Sequence, residues 1–278
     1  MNRATLPIYV VDAFTSVPFA GNPAGVVLLE AGESPPESWM KQVAVEMNHS
    51  ETAFVTPTGD PSVYGLRWFT TEAEMDLCGH ATLASAHVLF RRDPTLSVVT
   101  FHTRSGPLRC ERVVQGELGR IDMDFPALGV EDAVPPEGLS EALGLRPAYV
   151  GRSKFDLLVV ARSEREVREC RPNLARLREI RTRGVILAAC DPGGMYDVVS
   201  RFFAPAVGVD EDPVTGSAHC VIGPFFGQRL GKAELRCLQA SKRGGIVTVR
   251  TSGERVRLGG DAVTVLEGRI VAWKQRSA

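Results

Sequence analysis

Apolar residues along this chain follow two periods, and the switches between them mark its elements. Short runs rich in β-branched residues predict strands at 8–11 and 26–29, separated by a loop from Ala13 to Asn22 that Pro18, Gly21 and Pro23 punctuate. Met40, Val43, Ala44 and Met47 share one face of a 3.6-residue period, which predicts an amphipathic helix over Glu37–Met47. Strands follow at 51–56 and 64–69, around a turn at Gly59-Asp60-Pro61. An Ala- and Leu-rich stretch from Gly79 to Arg91, stopping near Asp93-Pro94, reads as helix. Further strands are expected at 97–102, 108–114, 119–125 and 157–161.

The second half repeats this order. A helix at 164–181, interrupted near Pro172, precedes a strand at 185–189, a turn at Asp191-Pro192-Gly193-Gly194 and a strand at 196–203. Asp212-Pro213 has the grammar of a helix start, an Asp cap with Pro at the first helical position, and the helix should run through Phe226. Strands at 235–240, 245–250, 255–259, 262–266 and 269–273 close the chain. Many antiparallel strands around one apolar helix per half is an α+β plan. A Pro-, Gly- and acid-rich segment at 126–136 marks the boundary. The expected lobes are 1–127 and 128–278, with the last strand, about 268–278, able to pack with the first lobe.

The repeat extends to individual residues. Arg67-Trp68-Phe69 and Arg201-Phe202-Phe203 stand 134 positions apart, as do Cys78 and Asp212, Asp76 and Asp210, and Ala84 and Ala218. Two like-built lobes facing each other would set Cys78 and Asp212 on opposite walls of one cleft. Opposed proton-carrying groups suit a proton-shifting enzyme.

Composition narrows the field. A net charge of −1 gives no reason to expect a nucleic acid or an anionic membrane as partner. The basic cluster at 162–183 is interleaved with glutamates and reads as a solvated helix face. The six cysteines form no CxxC, and no Cys/His set has zinc spacing, so no zinc site is expected. Residues 1–11 lack the pattern of a signal peptide, and no apolar stretch reaches the length of a membrane span. A reducing cytoplasm is the simplest setting. A homodimer is the default for an oligomer of this kind. Dinucleotide and P-loop fingerprints are absent.

Four residues could carry chemistry. Cys78 precedes Gly79 at the expected helix start, where unpaired amides and partial positive charge stabilise a thiolate or hold a substrate carboxylate. A buried core thiol is the alternative. His80 lies in the first helical turn and could donate a hydrogen bond or relay a proton. Glu51 opens an apolar strand. It is either a half-buried acid with a raised pKa or a solvated edge-strand glutamate. Asp212 reads as a helix cap, and a capping carboxylate at a helix mouth can also face a cleft. Ser50 adjoins Glu51, and Gly216 and Ser217 let a ligand approach the second helix start. His87 and His219 read as packing residues, and Asn22-Pro23-Ala24-Gly25 as a turn.

Four motifs in order resemble the PhzF-like (phenazine-biosynthesis) isomerase family: the stretch from Asp12 through Asn22-Pro23-Ala24-Gly25-Val26, then Ser50-Glu51-Thr52-Ala53-Phe54-Val55, Cys78-Gly79-His80-Ala81, and Asp212-Pro213-Val214-Thr215-Gly216-Ser217. The resemblance implies the diaminopimelate epimerase-like fold: two pseudo-symmetric lobes, each a barrel-like, mainly antiparallel sheet around a central helix, with the active site between them. It also implies a cofactor-independent isomerase acting on a small carboxylate. Glu51 matches the principal acid/base, His80 and Asp212 the other polar groups, and Gly79, Gly216 and Ser217 the anion site. The family prototype has a small non-thiol residue at the place of Cys78. A cysteine there resembles the two-cysteine racemases and epimerases, which leaves open an amino-acid racemase or epimerase using Cys78 and Asp212. A binding protein that kept the fold without catalysis is the third reading.

Overall fold

The structure, a computed structural model, describes residues 3–113, 119–190 and 193–275. The chain divides into two compact units, Met1–Asp124 with Gly260–Ala278, and Phe125–Gly259. The first crossing falls three residues before the expected boundary at 127. The second falls at Gly260 rather than near 268.

One ladder of pairings recurs in both units. In the first, Asn22–Leu28 runs parallel to Glu51–Pro57, which pairs antiparallel with Val63–Phe69. That strand runs parallel to Val98–Thr103, which turns back onto Gly106–Val113. In the second, Asp156–Val160 is parallel to Gly184–Cys190, which is antiparallel to Val198–Ala204. That strand is parallel to Glu234–Gln239, which is antiparallel to Gly245–Ser252. Parallel neighbours cannot be joined by a tight turn and need a crossover. Helices supply it each time: Glu37–Met47 and Gly79–Arg92 in the first unit, then Glu164–Glu169 with Leu174–Glu179, and Gly216–Leu230, in the second. The fold is therefore α+β, as the periodicity predicts.

Differences from the expected elements have local causes. Asn22 begins a strand instead of ending a loop, because Ala13 and Asn22 pair across the strands they terminate and begin. The two final strands are one, Ala262–Gln275, since Glu267 and Gly268 stay in register with Tyr9 and Ile8. The helix at 164–181 is two short helices, each with its own cap, Ser163 on Glu166 and Asn173 on Arg176. The helix expected from Asp212 starts at Gly216 and runs on to Leu230 through Pro224. A helix at Leu139–Leu143 and a strand at Tyr149–Arg152 were not anticipated. Val114, Asp191 and Pro192, parts of an expected strand and turn, lie outside the described residues.

Each unit is organised by one enclosed helix. Every residue from His80 to Phe90 is buried, so Gly79–Arg92 has no solvated face. Ala81, Ala84 and Ala86 let the sheet close on it, while Thr82 and Ser85 return their hydroxyls to the carbonyls of Cys78 and Ala81. Close packing is also enforced at Gly260, where a Cβ would lie 2.4 Å from the Phe14 ring. A separate cluster under Glu37–Met47 includes Met40, Val43, Phe54 and Phe69. In the second unit Leu157, Val159, Leu187, Val199 and Phe203 form the core beneath the short helices.

Candidate active site

Three chain starts converge in the first unit. Asn22 and Glu51 are the first residues of two parallel strands, so they lie at the same end of the pair. Cys78 occupies the position before the enclosed helix, with extended backbone and no capping bond from its side chain. Asn48, in the left-handed region at φ 50°, ends the preceding helix and turns the chain toward Ser50 and Glu51.

Three side chains, Asn22, Glu51 and Cys78, meet around His80. Its Nε2 is 3.3 Å from Glu51 Oε2, within contact distance though not aligned as a hydrogen bond. Its Nδ1 is 3.3 Å from Asn22 Nδ2 and 3.6 Å from Cys78 Sγ. Glu51 is not a solvated edge residue: its strand is paired on both sides and its side chain is 15% exposed. Burial pushes the His80 pKa down to about 3, and the charge of His49 adds to the shift. The ring is therefore neutral at neutral pH, with one N–H to give and one lone pair to offer.

Glu51, Cys78 and His80 bring a carboxylate oxygen, a thiol sulfur and a ring nitrogen within 4.8 Å of one another, a donor set a divalent cation could use. Within it the ring turns Nδ1 to Cys78 and Nε2 to Glu51.

In the second unit Asp212 ends the short strand Val209–Asp212, and Thr215 takes the capping position. The Asp-Pro pair therefore does not cap the helix. Strand pairing of Asp212 with Phe202 holds it outside. Its carboxylate accepts a hydrogen bond from Thr215 Oγ1 instead. Buried Gln239 accepts from the Thr215 backbone N–H at 2.9 Å and donates to the Asp212 carbonyl at 2.8 Å. Ser217 Oγ accepts from Arg183 at 2.9 Å, and Arg183 grips the fully buried Asp156 through two nitrogens. Gly216 opens this helix. His219 packs within it, its Nδ1 2.8 Å from the Thr215 carbonyl and its pKa lowered by burial to about 4.

Of the residues singled out in the sequence, the structure brings Glu51, Cys78 and His80 together beside one helix start, with Gly79 opening that helix, and sets Asp212 just ahead of the other, which Gly216 and Ser217 open. Sequence reasoning missed Asn22, Gln239, Thr215 and Arg183 as polar partners. The stretch Asn22-Pro23-Ala24-Gly25, read as a turn from its composition, is instead the start of a strand paired with 10–13. A family model described as phenazine biosynthesis-like protein (PhzC-PhzF) matches residues 11–268. The chain belongs to this family. An uncharacterized isomerase of Halalkalibacterium halodurans is 48% identical over 270 residues, covering 96% of this chain and 99% of the relative. The crystal structure of a PhzF family protein from Enterococcus faecalis is 38% identical, with a TM-score of 0.89 over 96% of this chain and 99% of that one. A predicted epimerase from Pseudomonas aeruginosa shares the fold at 23% identity, with a TM-score of 0.73 over 95% of this chain and 99% of that one. The family thus joins isomerases and an epimerase-like fold. Among the described residues, no helix is long and apolar enough to cross a membrane.

Proposed function

We propose that the chain is an isomerase that moves a proton on a small carboxylate-bearing metabolite without a cofactor, with Glu51 as proton carrier. The observation that carries this reading is the contact of Glu51 with a neutral imidazole at the start of an enclosed helix. Glu51 as carboxylate takes a proton from a substrate carbon and becomes the acid. It returns that proton to another carbon of the same skeleton and is regenerated, so the substrate is rearranged and nothing is consumed. His80 serves as hydrogen-bond partner, not as the base, since its pKa near 3 makes it a weak proton acceptor at neutral pH. Amides around Gly79 at the helix start suit the substrate carboxylate. In the second unit Asp212 fixes the residue before Gly216 and Ser217, a second helix start of the same chemistry.

The test is deuterium incorporation from D₂O into a panel of small carboxylates. Glu51→Gln is expected to lower turnover by about 10²–10⁴-fold, the usual contribution of a general acid–base group. Wild-type turnover in that variant would remove Glu51 from the mechanism. The Cys78–His80 contact favours a second reading, α-carbon racemisation with the thiol as base. Exchange at an α-carbon that survives Glu51→Gln but is lost in Cys78→Ala would select it. Tight carboxylate binding without exchange across the panel would leave a binding protein.

A further inference from the structure

His80 stands between two claimants for its single proton. We propose that Asn22 is a positioning residue: its side-chain amide donates to Nδ1, holds His80 in the Nε2–H tautomer, and so directs the ring's proton to Glu51 and away from Cys78. An amide NH₂ can only donate, so the Nδ1 it faces at 3.3 Å must present a lone pair. A neutral imidazole has one N–H, which then sits on Nε2, 3.3 Å from the Glu51 carboxylate. A thiolate at Cys78, 3.6 Å from Nδ1, would want that nitrogen protonated. The amide disfavours this arrangement, and with it a thiolate–imidazolium pair.

The chain goes to some conformational expense to place Asn22. The residue is fully buried at the first position of its strand. The loop leading to it holds Phe14 and Phe19 at positive φ, 63° and 68°, where aromatic residues are strained. The Phe19 N–H is tied back to the buried Asp12 carboxylate at 2.7 Å. Gly21, at φ 65°, makes the final bend, and a Cβ there would lie 2.2 Å from the Ala13 carbonyl oxygen. A strained loop held by a buried acid delivers one amide to one ring nitrogen.

The consequence for catalysis rests on the reading of Glu51 given above, but the test does not. Long-range ¹H–¹⁵N spectra of ¹⁵N-labelled protein distinguish the two imidazole tautomers, with the His80 signals assigned by their loss in His80→Gln. Wild type is expected to show the Nε2–H pattern. Asn22→Leu keeps much of the shape but removes the donor, and the Nδ1–H form should gain population. In Asn22→Asp a carboxylate accepts from Nδ1–H, and that form should dominate. A wild-type Nδ1–H pattern would overturn the proposal, and this spectrum needs no variant to fold. An Nε2–H pattern unchanged in the folded Asn22 variants would overturn it equally. Normal turnover in Glu51→Gln beside the expected tautomer shifts would instead sink the catalytic reading and leave the role of Asn22 standing.

Discussion

Gln239 spends its side-chain amide on the start of one helix. Its carbonyl serves the Thr215 N–H, and its NH₂ serves the Asp212 carbonyl and the Thr215 hydroxyl. Replacing it with Leu would take away the buried acceptor of the Thr215 N–H, at about 1–3 kcal/mol for a donor left unsatisfied. Gln239→Leu should therefore lose several times the stability that a typical surface substitution costs, read as a lower urea midpoint with an unchanged slope. A midpoint shift worth less than about 0.5 kcal/mol, the surface range, would show that the network is dispensable. No local pattern announced this residue, because its partners lie 24 and 27 positions away. Glu51, Cys78 and His80 were legible for the opposite reason. Each stands at an element start that the apolar period marks, inside a short motif. Asp212 shows the limit of local grammar. An Asp-Pro pair reads as a cap, and only the pairing of Asp212 with Phe202 reveals that the helix begins later.

At the scale of elements, the repeat of Arg67-Trp68-Phe69 in Arg201-Phe202-Phe203 has a physical counterpart. Each arginine lies over the ring of the phenylalanine two residues on, at 5.0 and 4.8 Å, and each holds a glutamate, Glu74 or Glu211. The sequence match had paired Asp76 with Asp210, but both are exposed and contact other arginines. The order of parallel and antiparallel pairings was not legible, since periodicity marks a strand without naming its neighbour. The enclosed helices also need small residues where strands press on them. At Gly223 a Cβ would sit 2.5 Å from Val249 Cγ1. Ala is the better helix former by up to about 1 kcal/mol, yet overpacking typically costs about 1–3 kcal/mol. Gly223→Ala should therefore destabilise the protein on balance, and Val249→Ala in the same chain should recover part of the loss. A more stable Gly223→Ala variant in thermal or urea unfolding would show that the strand can move aside.

Across the whole molecule, three buried histidines couple stability to pH. Desolvation lowers the pKa of His80 to about 3, and of His87 and His219 to about 4, from an ordinary 6.5. The unfolded chain takes up these protons near pH 6.5, while the folded chain resists them until pH 3–4. Between those limits the unfolded state binds more protons, so stability is fully present above pH 6.5 and is lost as pH falls. Each histidine contributes a slope approaching about 1.4 kcal/mol per pH unit once its unfolded form is protonated. Urea midpoints should therefore drop steeply from pH 7 to pH 5, a range in which ordinary carboxylates stay ionised. Two variants isolate single protons while keeping a hydrogen bond. Asn at 219 can imitate the Nδ1 contact with the Thr215 carbonyl, and Gln at 87 can imitate the Nε2 contact with Thr264. His219→Asn and His87→Gln should each flatten the pH dependence by about one proton, and the double variant by two. Stability that stays level between pH 7 and pH 5 in the wild type would mean that the folded protein admits these protons, and that His80 is not held neutral beside Glu51.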